Sequence, residues 1–172
     1  MNYGGIKKQD FSNGPGVRTT LFVSGCPHKC KGCFNPESWD YNYGEAFTTK
    51  IVEEILEACN NDFCEGLSIL GGEPLAPNNL KEISELVIAF REKFKTKKTI
   101  WIWTGYLIED LVSKMPYNED LDKILRRIDF LVDGPFIEKK KKLNLKFRGS
   151  ENQRIINVNA TLSCGEIVEV QN

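Results

Sequence analysis

A chain of 172 residues, 41% hydrophobic and 27% charged, has the makeup of one globular domain around a single core. That balance excludes an intrinsically disordered chain, and no apolar run approaches the length that crosses a bilayer. A formal charge of −1 gives the molecule no overall field to draw it to nucleic acid.

The opening Met1-Asn2-Tyr3-Gly4-Gly5 carries no basic segment leading into an apolar stretch, so a cytoplasmic protein is expected. Residues 17–24 are rich in β-branched and apolar side chains and stop at Gly25, which predicts a buried strand that delivers a cysteine-rich loop. Thr48 or Thr49 caps a predicted helix reaching residue 60, with Ile51, Ile55 and Leu56 on one face. A second strand at 67–70 runs into Gly71-Gly72-Glu73-Pro74. The following helix, 79–94, places Leu80, Ile83, Val87, Phe90 and Phe94 at helical spacing, a core-facing stripe. Residues 99–104 read as a third strand ending at Gly105, helical turns fall within 108–115 and 121–127, and 130–132 and 154–158 read as the last two strands.

Strands alternating with helices predict parallel βαβ units, whose ligands gather at the C-terminal ends of the strands. Each of the first four strands ends in a candidate site segment, so residues far apart in sequence are expected on one rim. A closed eight-unit barrel takes about 250 residues. The expected fold is therefore α/β, an incomplete and laterally open (β/α) barrel.

Cys26, Cys30 and Cys33 are spaced Cys-x3-Cys-x2-Cys. Three thiolates hold three corners of an iron–sulfur cubane and leave one iron without a protein ligand. Cys59 and Cys64 lie beyond that local pattern and, with Cys164, read as free thiols. His28, the only histidine, keeps open a zinc site of three cysteines and one histidine, although it would have to fold back onto the same metal. It reads more simply as a loop residue beside a cluster. The clustered triplet favours metal in a reducing compartment over disulfides. Asp133, at the end of the fourth strand, is a candidate to orient a ligand or partner, and Asp133-Gly134-Pro135 equally has the residue types of a strand-ending turn. Arg18, Arg148 and Arg154 offer guanidinium forks to a planar anion or a partner, and equally to ordinary ion pairs. Lys139-Lys140-Lys141-Lys142 reads as a solvated loop, with docking of an acidic partner as the second reading. Trp101 and Trp103 read as packing residues.

The cysteine loop resembles that of the radical S-adenosylmethionine (SAM) superfamily. Asn13-Gly14-Pro15-Gly16-Val17-Arg18 resembles the Gly-Pro-Gly-aliphatic-Arg opening of activases for glycyl-radical enzymes, and Gly71-Gly72-Glu73-Pro74 resembles the segment that takes the methionyl amino group of SAM. Trp103-Thr104-Gly105-Tyr106, Asp133-Gly134-Pro135-Phe136 and residues 147–154 (Phe-Arg-Gly-Ser-Glu-Asn-Gln-Arg) complete a series similar to the family that activates anaerobic (class III) ribonucleotide reductase. The resemblance covers residues 1–158, as an activase domain. Residues 159–172 stand outside it, as a C-terminal extension of unknown role.

The resemblance implies a barrel of the radical SAM type. It implies that Cys26, Cys30 and Cys33 ligate one four-iron four-sulfur cluster whose open iron is chelated by SAM. Gly71 and Gly72 would let backbone approach SAM, with Glu73 accepting from its ammonium group, and Thr104 and Gly105 would meet it at the third strand's end. Gly32 and Phe34, flanking Cys33, would pack near adenine or cluster; the superfamily often has an aromatic residue where this chain has Gly32, a departure from the pattern beside Phe34. The implied reaction is one-electron cleavage of SAM to methionine and a 5′-deoxyadenosyl radical, which takes hydrogen from a glycine of the reductase's large subunit. The electron comes from an external donor such as flavodoxin. The alternatives are activation of another glycyl-radical enzyme, radical SAM chemistry on a small molecule, and a noncatalytic iron–sulfur or zinc module.

Overall fold

A computed structural model describes residues 1–142 and 144–170. The chain opens with β1 (Asn2–Asp10) and β2 (Val17–Val23), then a one-turn 3-10 helix (Pro36–Trp39) and a short β3 (Glu45–Ala46). There follow α1 (Thr49–Ala58), β4 (Cys64–Gly71), α2 (Leu80–Phe94), β5 (Thr99–Trp103), α3 (Ile108–Lys114), α4 (Glu119–Leu125), β6 (Phe130–Asp133), β7 (Arg154–Asn157) and α5 (Val158–Cys164). One seven-stranded sheet, in the order β3-β1-β2-β4-β5-β6-β7, takes in all the strands and is not closed.

Its centre is the predicted parallel array: β2 with β4, β4 with β5 and β5 with β6. Both margins depart from expectation. β1 is a full strand antiparallel to β2 and carries β3 on its outer edge, and β7 runs antiparallel to β6 rather than continuing the βαβ series. β1 escapes a pattern reading because Gly4, Gly5, Lys7 and Lys8 break its alternation. Among the described residues no α-helix separates β7 from β6, only the 3-10 turn Glu138–Lys140. The chain returns through the Lys-rich turn and residues 147–153, whereas a parallel neighbour is usually delivered by a crossover helix.

Successive residues of each strand face opposite sides of the sheet. Leu21, Leu67, Ile69, Ile100 and Ile102 point to the helical side, where Ile55 of α1 and Ile83, Leu86, Val87 and Phe90 of α2 close the main core. Phe90 is fully buried, and that burial contributes roughly 1.5–3 kcal/mol. Trp101, Val132 and Ile155 form a second, smaller core, with Trp103 and Phe147 packed against it. Residues beyond 158 add α5 and return along the sheet margin, where the Asn157 amide donates to Val168 O at 2.8 Å and the Val170 amide to Ile155 O at 2.7 Å. Among the described residues no helix is long and apolar enough to cross a membrane.

Candidate functional site

β2 ends at Val23, and the chain turns through Gly25 at φ +87° into the cysteine loop. The turn is tied to the 3-10 helix: the Gly25 amide donates to Ser38 O at 2.8 Å and the Cys26 amide to Trp39 O at 3.2 Å. β4 ends against the same turn, with the Gly72 amide on Val23 O at 2.7 Å and the Glu73 amide on Gly25 O at 2.8 Å. A Cβ on Gly72 would lie 2.6 Å from Gly25 O and 2.9 Å from Ser38 O, a clash of backbone on backbone with nothing flexible to yield. The close approach that this glycine permits is therefore to the cysteine turn. Asn79, just ahead of α2, ties the two segments again, its amide group donating to Ser24 O at 3.0 Å and Glu73 O at 2.9 Å.

Glu73 is 1% exposed and its carboxylate joins three segments. Oε1 accepts from the Leu75 amide at 2.9 Å and the Thr104 hydroxyl at 2.8 Å. Oε2 accepts from the Gly105 amide and lies on His28 Nε2, each at 2.8 Å. The cysteine loop, the end of β4 and the end of β5 thus meet on one buried carboxylate, where four hydrogen bonds replace the lost water. His28 stacks edge-on against Tyr106 with ring centroids 4.5 Å apart, and a Cβ on Gly105 would lie 2.6 Å from its Cδ2. This junction is what sequence reading missed: His28 and Glu73 lie 45 positions apart, and only the shared rim of a parallel sheet brings them together.

Beside the junction lies a cavity of about 460 Å³, lined by Cys26, Cys30, Cys33, Phe34, Gly71, Gly72, Glu73, Thr104 and Gly105 among others. Gly32 is outside that lining. It is exposed at φ +73° and faces Glu138, whose Oε1 would lie 2.7 Å from an added Cβ. Phe34 lines the cavity from its rim, 71% exposed, with its ring 5.5 Å from that of Phe136 and Lys141 Nζ 4.4 Å over its centroid. Asp133 is not in the lining. It accepts from the Ile108 amide at 2.9 Å and pairs with Arg154, which also bonds both oxygens of Glu109. Bonds to Glu109 and then Asp133 push the Arg154 guanidinium up, and Arg154 in turn holds Glu109 below its ordinary value.

The far wall comes from residues 147–153, stitched to the end of β6. Gln153 Oε1 accepts from the Gly149 and Ser150 amides at 2.7 and 3.1 Å, and its Nε2 donates to Gly134 O at 3.0 Å. Trp103 Nε1 donates to Phe147 O at 2.7 Å. Ser12, Asn13, Trp39, Trp103, Phe136, Phe147 and Gln153 line the cavity beyond the expected set. Several stand in the family segments quoted above; Trp39 carried no such signal.

All three loop cysteines are free and half-buried. Burial pushes the Cys26 thiol up, against the His28 and Lys29 amides that pull it down. Among the described residues no three His, Cys, Asp or Glu side chains converge on a position for a single metal ion; the three thiols share the cavity wall instead. Soft thiolates are the donors that iron–sulfur clusters use. Two buried donors of lining residues, Trp39 Nε1 and Arg148 Nε, have no partner, so the wall retains polar capacity for a ligand. The donor set fits a cluster with a polar organic ligand beside it.

Comparison with known proteins agrees with this donor set. The family described as 4Fe-4S single cluster domain matches residues 12–156. The chain is 41% identical over 155 residues to a protein of Enterobacteria phage T4, covering 90% of this chain and 93% of the relative. It is likewise 41% identical over 155 residues to a protein of Escherichia coli K12 (89% and 96% covered) and 39% identical over 160 residues to one of Vibrio cholerae (90% and 97%). Each of the three is named anaerobic ribonucleoside-triphosphate reductase-activating protein. With identity at this level along nine-tenths of its length, the chain belongs to the 4Fe-4S single cluster domain family and, within it, to the anaerobic ribonucleoside-triphosphate reductase-activating proteins.

Proposed function

We propose that this protein activates an anaerobic ribonucleotide reductase by generating a glycyl radical on it, through reductive cleavage of SAM at a four-iron four-sulfur cluster. The observation that carries the reading is the meeting of Cys26, Cys30 and Cys33 with the Glu73 junction on one cavity, in a chain of this family. The three thiolates hold the cluster. When bound, the cluster and SAM supply the one-electron chemistry that removes hydrogen from a backbone glycine of the reductase.

The chain's own residues fix where that chemistry happens. Thr104, Gly105 and His28 converge on Glu73, so the cysteine loop and the β5 loop keep one spacing across the cavity. Gly71 and Gly72 let the end of β4 close on the end of β2 and the cysteine turn, which sets the cavity wall beside Glu73 where a polar ligand lies. Phe34 and Phe136 stand at the rim, apolar cover that restricts water once a peptide enters. The unclosed sheet is read as the laterally open barrel of the radical SAM type, residues 1–158 as the activase domain and 159–172 as its extension. The open side admits a polypeptide loop, which a closed barrel would exclude. The electron for that chemistry would come from an external one-electron donor such as flavodoxin, in the cytoplasm.

The test is anaerobic electron paramagnetic resonance of reconstituted, reduced protein mixed with SAM and a cognate reductase, with deoxyadenosine assayed in the same tube. The expected result is a glycyl-radical signal that requires SAM, the loop cysteines and the reductase glycine. Deoxyadenosine without a radical would assign a different substrate, and neither product would overturn the reading.

A further inference from the structure

Three arginines stand in segments with no role in the steps above, and each is differently engaged. Arg18 is fully buried and its bonds run to neutral acceptors: Ser68 Oγ at 2.7 Å, Thr99 Oγ1 at 3.0 Å, and Leu67 O and Thr99 O at 2.9 Å. Arg154 is matched by Glu109 and Asp133. Arg148 lines the cavity. Its Nη1 donates to Gln153 O at 3.1 Å, its Nε is buried with no partner, and among the described residues no carboxylate forms an ion pair with it.

The rest of that wall is already engaged. The Gly149 and Ser150 amides are taken by Gln153 Oε1, and the Ile137 amide by Ser150 Oγ. Glu73, the acidic residue of the lining, has both oxygens occupied by the chain's own donors. The cavity therefore holds one guanidinium without a counter-anion, on a loop held by its own hydrogen bonds. An anion entering here finds its charged donor on Arg148, with Trp39 Nε1 as the one neutral side-chain donor of the lining, among the described residues, that is buried and also without a partner.

We propose that Arg148 is the carboxylate subsite of this cavity, binding a carboxylate of the molecule that fills it through the guanidinium fork. The proposal rests on the reading of the cavity as the SAM and peptide site, and it adds a recognition residue on the wall supplied by residues 147–153. A planar five-donor cation on a fixed loop matches a carboxylate better than a lysine would. Two sources carry that chemistry: the methionyl carboxylate of SAM, and an acidic side chain or terminus of the polypeptide substrate.

The experiment measures equilibrium binding of SAM and of decarboxylated SAM to anaerobically reconstituted wild type, Arg148→Gln and Arg148→Lys, and the affinity of each for the reductase. Comparison between variants reads the arginine, whatever the cluster contributes to holding the carboxylate. If the methionyl group is the ligand, Arg148→Gln loses roughly 10- to 100-fold in SAM affinity. Decarboxylated SAM then binds unchanged, and Arg148→Lys recovers part of the loss. If the peptide is the ligand, both nucleosides bind the variants as they bind wild type, and reductase affinity falls by a similar factor. Unchanged affinity for all three ligands overturns the subsite. So does an equal loss for both nucleosides with a lower melting temperature, which would make Arg148 a strut of its loop. Wild type that binds neither nucleoside overturns the activase reading, while the reductase arm still reads Arg148.

Discussion

The two ends of the parallel strands use the same residue types to opposite effect. At the N-terminal end, Cys59 and Cys64 are buried, and both thiols lie on Gly66 O, at 3.9 and 3.4 Å. A hydrogen bond from Cys59 lowers the Cys64 thiol, and the same bond together with burial pushes Cys59 up. Arg18 lies in register with Gly66, and Gly66 with Thr99, which is why its guanidinium reaches Ser68, Thr99 and Leu67. At the C-terminal end, Cys26, Cys30 and Cys33 are half-exposed around a cavity and Arg148 has a donor without a partner. At the closed end the Arg18 guanidinium and both thiols find partners within the chain; at the mouth an Arg148 donor is left open. The same residue types are closed in on the chain at one end, and at the other three cysteines and Arg148 line the cavity.

The largest test of that division is loss of a thiol at each end. Cys30→Ala is expected to abolish assembly of iron and sulfide, since three thiolates are the minimum that anchors a cubane with one open iron. Cys59→Ala is expected to retain both in full. Metal and sulfide analysis after anaerobic reconstitution checks this, and equal loss in both variants would erase the distinction between the two cysteine groups.

A second comparison, smaller in effect, sets Arg18 against Arg148. Burial lowers the Arg18 guanidinium to about 10, countered in part by Cys64, Cys59, Asp129 and Glu65, and it remains a cation at neutral pH. Arg18→Met removes the donor from four acceptors inside the sheet, and Ser68 Oγ and Thr99 Oγ1 keep only the bonds they donate to Asn13 O and Glu65 O. The expected destabilisation is roughly 3 kcal/mol or more. Arg148→Gln, on a half-exposed wall, is expected to cost about 1 kcal/mol or less. Urea denaturation of both variants measures it, and similar midpoints would mean that the mouth is as much a part of the fold's support as the closed end.

Local signals made the middle of this molecule legible in advance. The parallel strands and the α2 stripe are contiguous, periodic segments, so Leu80, Ile83, Val87, Phe90 and Phe94 read correctly as core. The cysteine loop is a short local spacing, and the structure sets its three thiols on the cavity wall. What escaped was set by distance along the chain. Arg18 looked like a candidate anion site because a sequence cannot show that Ser68 and Thr99, 50 and 81 positions away, take its donors. Glu73 looked like a free acceptor because the His28 and Gly105 bonds come from other strand ends. The two sheet margins were missed for a different reason: β1 is polar and glycine-rich, and among the described residues β7 follows β6 with no α-helix between them.

Asp10 joins the closed body of the sheet to the mouth, and acid reads how firmly. Its carboxylate is fully buried and takes the Thr20 hydroxyl at 2.7 Å from within β2, Lys7 Nζ at 2.8 Å, the Ser12 amide at 3.1 Å and Asn13 Nδ2 at 2.5 Å. Ser12 and Asn13 go on to line the cavity. Burial pulls the carboxyl up, but Lys7, Thr20, Asn13 and the Ser12 amide together outweigh it and lower the group from 3.8 to about 2. Because the folded value is the lower one, the stabilisation is fully present above the unfolded value of 3.8 and is lost as pH falls through about 2. It amounts to about 2 kcal/mol. Urea unfolding of cluster-free protein between neutral pH and pH 2 should show wild type more stable than Asp10→Asn by an amount that shrinks across that window. A gap that stays constant would mean that the carboxylate's charge does not hold the 10–13 loop, and that the mouth is anchored to the sheet by Ser68, whose hydroxyl donates to Asn13 O at 2.6 Å.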